Sequence, residues 1–296
     1  MMEPNQPGYP EQNSVPPLSI RKVASSNGID WIKRAWQIFR QSPLTWLVTM
    51  SLLLVILAIL VVIPFFQIFA TICMPVLIGG LMLGCQSIRH GQSFQMSFLF
   101  KGFEVKTAEL FTLGALYFTS QIAIFIIAIL LSYLLGFSPD LSFDPQALTN
   151  GSMTQDEAVK AYQELLESLA FPFLIMLALL IPVFMAFWFA PALVILDHLK
   201  PLEALKLSFV ACNRNIWPFM VYGVVGFFAM FLLIFLAQLI SILIPILTVL
   251  VTLTVIAFNF GIMFVSMFTA YEDIFESESG RFREKSMNEP EGQITL

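Results

Sequence analysis

Charged residues are scarce in this sequence, and they leave four long stretches without any. Only 12% of the 296 residues are Asp, Glu, Lys or Arg, whereas a soluble domain carries about 25%. The uncharged stretches are 41–88, 110–139, 168–196 and 215–271, with 48, 30, 29 and 57 residues. A bilayer-spanning helix needs about 20 apolar residues. The two middle stretches therefore predict one span each and the outer two predict two each, which argues against a soluble fold and for six spans.

Recognisable catalytic and metal-binding patterns are also missing. The three cysteines form no CxxC pair, which argues against a disulfide framework and a structural zinc site. The sequence has no P-loop, no GxSxG, no HExxH and no dinucleotide fingerprint. His90 and His198, with Cys85 and Asp197, form at most a weak ligand set, and we interpret both histidines as interfacial residues near headgroup phosphates. We therefore expect a non-enzymatic protein without metal, cofactor or nucleic-acid partner.

The fold class that follows is an all-α polytopic membrane protein. The predicted spans cover 44–63, 67–87, 109–135, 170–196, 217–240 and 246–270. Residues 1–28 hold five of the seventeen prolines and predict a disordered tail. They show no apolar core after a basic start, so we expect the first span to act as an uncleaved insertion signal. A second disordered tail is predicted over 271–296, which leaves 29–270 as the membrane domain.

Short amphipathic segments separate the pairs of spans. A helix from Asn27 or Gly28 to about residue 41 divides cleanly into an apolar and a cationic half, as expected of a helix lying in the headgroup plane. The segment 93–103 predicts a second, weaker interfacial helix. A third is predicted to begin at Pro201, where proline is tolerated in a first turn.

The loop 137–168 differs from the other connections in its charge. Six carboxylates oppose Lys160 alone. Thr154 and Glu157 form the sequence pattern of a capping box, so we expect a helix that leans on the bundle or runs into the fourth span. The side opposite this loop holds fourteen of the fifteen Lys and Arg residues. The positive-inside rule then predicts a bacterial inner-membrane protein with both termini in the cytoplasm and this loop outside.

The unit of interfacial helix, span and span recurs three times in the prediction, and an internal threefold repeat is one interpretation of it. Each even-numbered span carries two small residues four positions apart, a spacing that favours close helix packing. These pairs are Gly80 and Gly84, Ala186 and Ala190, and Ala257 and Gly261.

Several runs of residues resemble a family of proteobacterial inner-membrane proteins. They are CQSIRHG at 85–91, LFKGF at 99–103, FAPAL at 189–193 and PLEALKLSF with CNRN within 201–219. More distantly, the layout is similar to YciC-like proteins and to the membrane domain of some glycerophosphodiester phosphodiesterases. In those enzymes the chemistry belongs to a separate soluble barrel. The resemblance therefore implies a fold and a location, without a catalytic residue.

Two groups of residues are candidates for function. The first is a cationic belt where anionic headgroups would lie: Lys33, Arg34, Arg40, Arg89, Lys101, Lys106, Lys200, Lys206 and Arg214. The second is the set of intramembrane amides, Gln121, Gln238 and Asn259, which suit interhelical hydrogen bonds or a solute path. The first group favours an accessory protein that binds membrane lipid or a membrane-protein partner. The second favours a small-solute or lipid transporter or channel, and the oligomeric state stays open.

Overall fold

The computed structural model describes residues 18–63, 66–137 and 154–275. Its elements are α1 (Asn27–Phe39), α2 (Pro43–Val62), α3 (Phe66–Arg89), α4 (Phe98–Lys101), α5 (Thr107–Leu134), α6 (Gln155–Trp188), α7 (Ala190–Leu196), α8 (Pro201–Arg214), α9 (Ile216–Leu243), a 3₁₀ turn (Pro245–Leu247) and α10 (Thr248–Ile274).

Six helical stretches are long and apolar enough to cross a membrane, which confirms the predicted all-α polytopic fold. They are α2, α3, α5, α6 with α7, α9, and α10 with its 3₁₀ turn. The order of short helix, long helix and long helix recurs three times; the threefold repeat itself stays a prediction. Much of the predicted loop 137–168 lies outside the described residues, but its end does not. Thr154 and Glu157 form the predicted capping box, and α6 runs from there into the fourth span.

The fourth span breaks at Phe189, where the sequence FAPAL begins. Proline at 191 supplies no backbone N–H and crowds the preceding turn, so a helix cannot pass through it undisturbed. The break is closed by Ser208 of α8, whose hydroxyl accepts from the Phe189 amide at 2.9 Å and donates to the Met185 carbonyl at 2.8 Å. The short helix α7 that follows is buried from Ala190 to Ile195. The FAPAL block therefore lies in the core.

The core lies toward the end of the bundle that carries α1, α8 and both ends of the described chain. There α1 packs on α9 and α10, and α8 packs on α6 and α7. Trp31, Ala35 and Ile38 of α1 are buried, whereas Ile29 and Trp36 are exposed. Much of the apolar face of α1 thus packs inside the bundle. The placement of α1 in the headgroup plane stays a prediction.

The second predicted interfacial helix is reduced to one turn, α4. The segment 94–102 packs closely against α3, because the contact positions on α3 are the glycines at 80 and 84. A Cβ on Gly80 would lie 2.2 Å from the Phe98 carbonyl oxygen, and one on Gly84 would lie 2.5 Å from the Phe94 ring. The partner of this glycine pair is therefore a connecting segment and not another span. The pair Ala186 and Ala190 straddles the break at Phe189, and Gly261 contacts the Phe39 ring from α1.

The last residues of the predicted N-terminal tail pair with the end of α10. Ile20 pairs with Phe275 in an antiparallel bridge, and the Arg21 amide donates to the Ile274 carbonyl at 2.8 Å. The helix α10 correspondingly continues to Ile274, past the predicted end at 270. Residues 1–17 and 276–296, the remainder of both predicted tails, lie outside the described residues.

Candidate functional site

A polar cluster joins the start and the end of the described chain. Asp273 Oδ2, at the end of α10, accepts from Asn27 Nδ2 at 2.8 Å and from Trp31 Nε1 at 2.7 Å. The Arg34 guanidinium forms an ion pair with the same oxygen at 3.1 Å. The neighbouring Glu272 accepts two hydrogen bonds from Arg89 of α3, at 2.6 and 3.0 Å. The carboxylates at the end of α10 thus hold α1 and α3 in place.

Asn215 binds the N-terminal segment from the other side. Its Oδ1 accepts from the Val23 amide at 2.9 Å, and its Nδ2 donates to the Arg21 carbonyl at 3.0 Å and to the Ala211 carbonyl at 3.0 Å. The side chain is 1% exposed. One amide group therefore satisfies the backbone of residues 21–23 in the way that a neighbouring strand would.

The ion pairs divide the predicted cationic belt into two sets. Arg34 and Arg89 are engaged with Asp273 and Glu272, and Lys101 and Lys106 pair with Glu104 and Glu109. The first two connect α10 to α1 and α3, and their role as headgroup contacts stays a prediction. Lys33 pairs with Asp30 at 3.2 Å but is largely exposed, so this pair is weak. Four exposed cations of the predicted belt have no ion-pair partner within the described ranges: Arg40, Lys200, Lys206 and Arg214.

A second polar contact lies at the end of α7. The Tyr271 hydroxyl donates to Asp197 Oδ2. Burial raises the pKa of the Asp197 carboxyl above its ordinary range, and the hydrogen bond from Tyr271 offsets part of that shift. The next residue, His198, adopts a left-handed backbone conformation with φ of 56° and is exposed. The described residues contain no cluster of three or more His, Cys, Asp or Glu side chains that is suited to a metal ion.

A cavity of about 630 Å³ lies between α1, α9 and α10. Its wall is made mainly of Ile, Leu, Met and Phe side chains, and Ile32 and Trp36 of α1 form part of it. Gly223 and Gly226 widen the cavity on the α9 side, because they have no side chain and a Cβ added at either position would meet nothing within 4 Å. This size and this apolar lining are typical of a binding pocket for a small organic ligand.

The cavity also holds polar atoms without partners. Ser266 lines it and is 1% exposed, yet its hydroxyl has no hydrogen-bond partner among the described residues. The Tyr222 hydroxyl approaches Ser266 without reaching hydrogen-bond geometry. The indole Nε1 of Trp188, another lining residue, is likewise buried and unpartnered in the described part of the chain. Both atoms have almost no accessible surface, so the surface that the cavity offers a ligand is apolar.

The three intramembrane amides are not brought together. Asn259 lines the cavity, and its Nδ2 donates to the Val255 carbonyl of its own helix at 2.8 Å. Gln238 is exposed on α9, and Gln121 is half-buried on α5. Neither of these two glutamines lines the cavity. A solute path that uses all three residues therefore has no geometric basis in this arrangement.

Comparison with known proteins adds one relative. The chain is 28% identical over 227 residues to a probable inner membrane protein of Burkholderia thailandensis, a match that covers 71% of this chain and 76% of the relative. No protein-family profile matches the chain, and no solved structure matches it. With its six spans, the chain is a multi-pass membrane protein that is similar to that relative.

Sequence reasoning missed the cavity and the partners of the arginines. Arg34 and Arg89 lie more than 180 residues from the carboxylates that they meet. Gly223, Gly226 and Ser266 were not singled out, although two glycines three positions apart in an apolar helix are a signal of space beside it. Asn215 is the last residue of the motif CNRN. No pattern in the neighbouring sequence indicated that its side chain forms hydrogen bonds with residues 21–23.

Proposed function

We propose that this protein is a non-enzymatic accessory protein of the bacterial inner membrane that binds membrane lipid in the cavity between α1, α9 and α10. The observation that carries the proposal is the cavity itself, which is apolar and lies between spans. Its extent along α9, from Tyr222 to Ile234, is 12 residues or about 18 Å. Half of a bilayer's hydrocarbon core is about 15 Å thick. The cavity thus matches the depth of one leaflet.

Cations of α1 beside the cavity suit a ligand with a negative charge. Trp36 is 48% exposed and lines the cavity. Lys33 and Arg40 lie three residues before and four residues after it, which places both on the same face of α1. A cation near a membrane surface contributes about 1 kcal/mol toward anionic lipid. These residues suit an anionic headgroup whose acyl chain enters the cavity, and with the termini in the cytoplasm that lipid belongs to the inner leaflet.

The resemblance to YciC-like proteins and to the membrane domain of some glycerophosphodiester phosphodiesterases is consistent with this role. In those enzymes the membrane domain is separate from the catalytic barrel. The inner-membrane location rests on the positive-inside rule and on the name of the Burkholderia relative.

Filling the cavity tests the proposal. Gly226→Leu places a side chain into open space, and replacing glycine in a helix does not weaken the helix. We expect native mass spectrometry of the wild-type protein in mild detergent to show a bound phospholipid, and the variant to lose most of it. Val224→Leu is the matched control, because residue 224 is exposed on the same helix and does not line the cavity.

Equal lipid retention by the wild-type protein and by Gly226→Leu would contradict binding in this cavity. A bare wild-type protein that conducts solute in reconstituted vesicles would favour the alternative of a transporter or channel. Loss of that flux on changing Asn259 would place the path in the same cavity. A retained protein subunit in place of lipid would favour the protein-partner role.

A further inference from the structure

The helix α6 extends well past the end of its neighbour α5. Phe137, just beyond the end of α5, stacks on Phe171 of α6 with ring centroids 3.9 Å apart. Gln155, the first residue of α6, lies 16 residues before Phe171, or about 24 Å along the helix. The last 20 residues of α6 already cover about 30 Å, the thickness of a bilayer's hydrocarbon core. The first turns of α6 therefore project beyond that core.

An apolar stripe runs along this projecting part and into the span. Val159, Tyr162, Leu166 and Leu169 follow one another at intervals of three, four and three residues, the spacing of positions a and d in a coiled coil. All four side chains are exposed, Leu166 to 66%. The same exposed face continues into the span at Phe173, Leu177 and Phe184. Because α6 is one unbroken helix from Gln155 to Trp188, its projecting part cannot turn to lay the stripe on the bilayer.

The charges of the projecting part lie away from the stripe. With Val159 at position a, the flanking e and g positions within 158–170 hold only Ala, Gln and Leu. Asp156, in the first turn, is the one charge at a flanking position. The other charged residues lie at the outer b and f positions: Glu157, Lys160, Glu164 and Glu167. Two identical helices can therefore pack along this stripe without bringing like charges together.

From this pattern we infer that the stripe on α6 binds α6 of a second copy of this chain in a parallel pair with two-fold symmetry. Two copies inserted in one membrane share an orientation, so identical helices run parallel and each stripe residue meets its counterpart. Two-fold pairs of this kind are the commonest form of oligomer. The inference goes beyond the proposed function, which concerns a cavity between other helices.

Disulfide cross-linking of the full chain in membranes tests the pairing. Leu166→Cys places a thiol in the stripe, and Glu164→Cys places one on the opposite side of the helix. The native cysteines Cys73, Cys85 and Cys212 are buried, so we expect the wild-type protein not to cross-link. With an added oxidant we expect Leu166→Cys to form a covalent dimer and Glu164→Cys to form about fivefold less, because a disulfide requires its two Cβ atoms to lie close together.

A charge in the stripe provides a second measurement. Leu166 is exposed in the single chain, so Leu166→Glu should leave its melting temperature unchanged. In the pair the same change buries two like charges. We expect the apparent dissociation constant, measured by single-molecule photobleaching in liposomes over a series of protein densities, to rise about tenfold or more. Glu164→Gln is the matched control and should leave this constant unchanged.

Several outcomes would overturn the pairing. Equal cross-linking at both positions would show random collision. A thiol at 166 that a soluble maleimide labels, but that forms no dimer, would show that no second copy covers the stripe. A thiol that is neither labelled nor cross-linked would show that the connecting segment 138–153 covers it, and an adduct with a different protein would assign the stripe to that partner. None of these outcomes bears on lipid retention by the cavity.

Discussion

At the scale of single residues, Asn215 shows how one buried amide fixes a segment of chain. Asn215→Ala removes three hydrogen bonds and leaves the Val23 amide and the Arg21 carbonyl without that partner. An unsatisfied buried polar group costs about 1–3 kcal/mol. We expect a clear fall in the apparent melting temperature in detergent. Asn213→Ala, an exposed neighbour on the same helix, should melt like the wild-type protein, and equal losses in both would contradict the role of Asn215.

Asp197 predicts how stability depends on pH. Burial raises its pKa in the folded protein above the unfolded value. Between those two values the folded state binds more protons than the unfolded state, so the free energy of unfolding decreases as pH rises through this window. Asp197→Asn cannot ionise and keeps an oxygen for the Tyr271 hydroxyl. We expect melting scans from pH 4 to 7 to show the variant gaining stability relative to the wild-type protein as pH rises.

The control for this prediction is Glu203→Gln. Glu203 is an exposed carboxylate in the first turn of α8. Its replacement should leave the pH dependence of the wild-type protein unchanged. A constant difference between Asp197→Asn and the wild-type protein at every pH would show that Asp197 does not titrate in the window.

At the scale of elements, glycine positions decide how closely the helices approach. A Cβ on Gly114 of α5 would lie 1.9 Å from the Ile72 carbonyl oxygen of α3. Gly114→Ala must therefore separate the two helices, and overpacking of this kind costs about 1–3 kcal/mol or more. We expect a lower melting temperature and less folded protein by fluorescence-detected size-exclusion chromatography.

Gly226→Ala is the contrasting substitution at this scale. Open space surrounds position 226, so the same change of residue should be neutral for stability. Comparable destabilisation at both positions would show that the loss of glycine, and not the close contact with Ile72, is responsible.

The elements also show which parts of the fold were predictable from the sequence. The six spans, the capping box at Thr154 and the helix at Pro201 follow from local composition and spacing, and the structure confirms them. The packing of α1 against α9 and α10 was not predictable in the same way. Its cationic stripe has the pattern of a surface helix, but the carboxylates that neutralise Arg34 come from the far end of the chain. Periodicity shows which face is apolar, without showing whether lipid or protein covers it.

At the scale of the whole molecule, the two ends of the described chain meet. The bridge between Ile20 and Phe275 places both on one side of the bundle. The distribution of Lys and Arg predicts that this side faces the cytoplasm. We expect a green fluorescent reporter fused after residue 296 to fluoresce and an alkaline phosphatase fused there to be inactive. A phosphatase inserted between residues 137 and 153 should be active, and an external carboxy terminus would contradict the orientation.

The cavity belongs to this scale as well, because it arises from the way α1, α9 and α10 meet and from no local motif. Asn259 was a candidate from the sequence and does line the cavity, but Trp188 and Ser266, which also line it, lie 78 residues apart in sequence. Only tertiary packing brings these residues to one cavity. The proposed function therefore requires that a lipid occupy this cavity in a membrane.

The most direct measurement is a cryo-electron microscopy map of the full-length protein in nanodiscs that contain anionic phospholipid. We predict an elongated density between α9 and α10 that runs along the cavity from Ile234 to Tyr222. A cavity that is empty, or that is closed by the side chains of α9 and α10, would contradict the account.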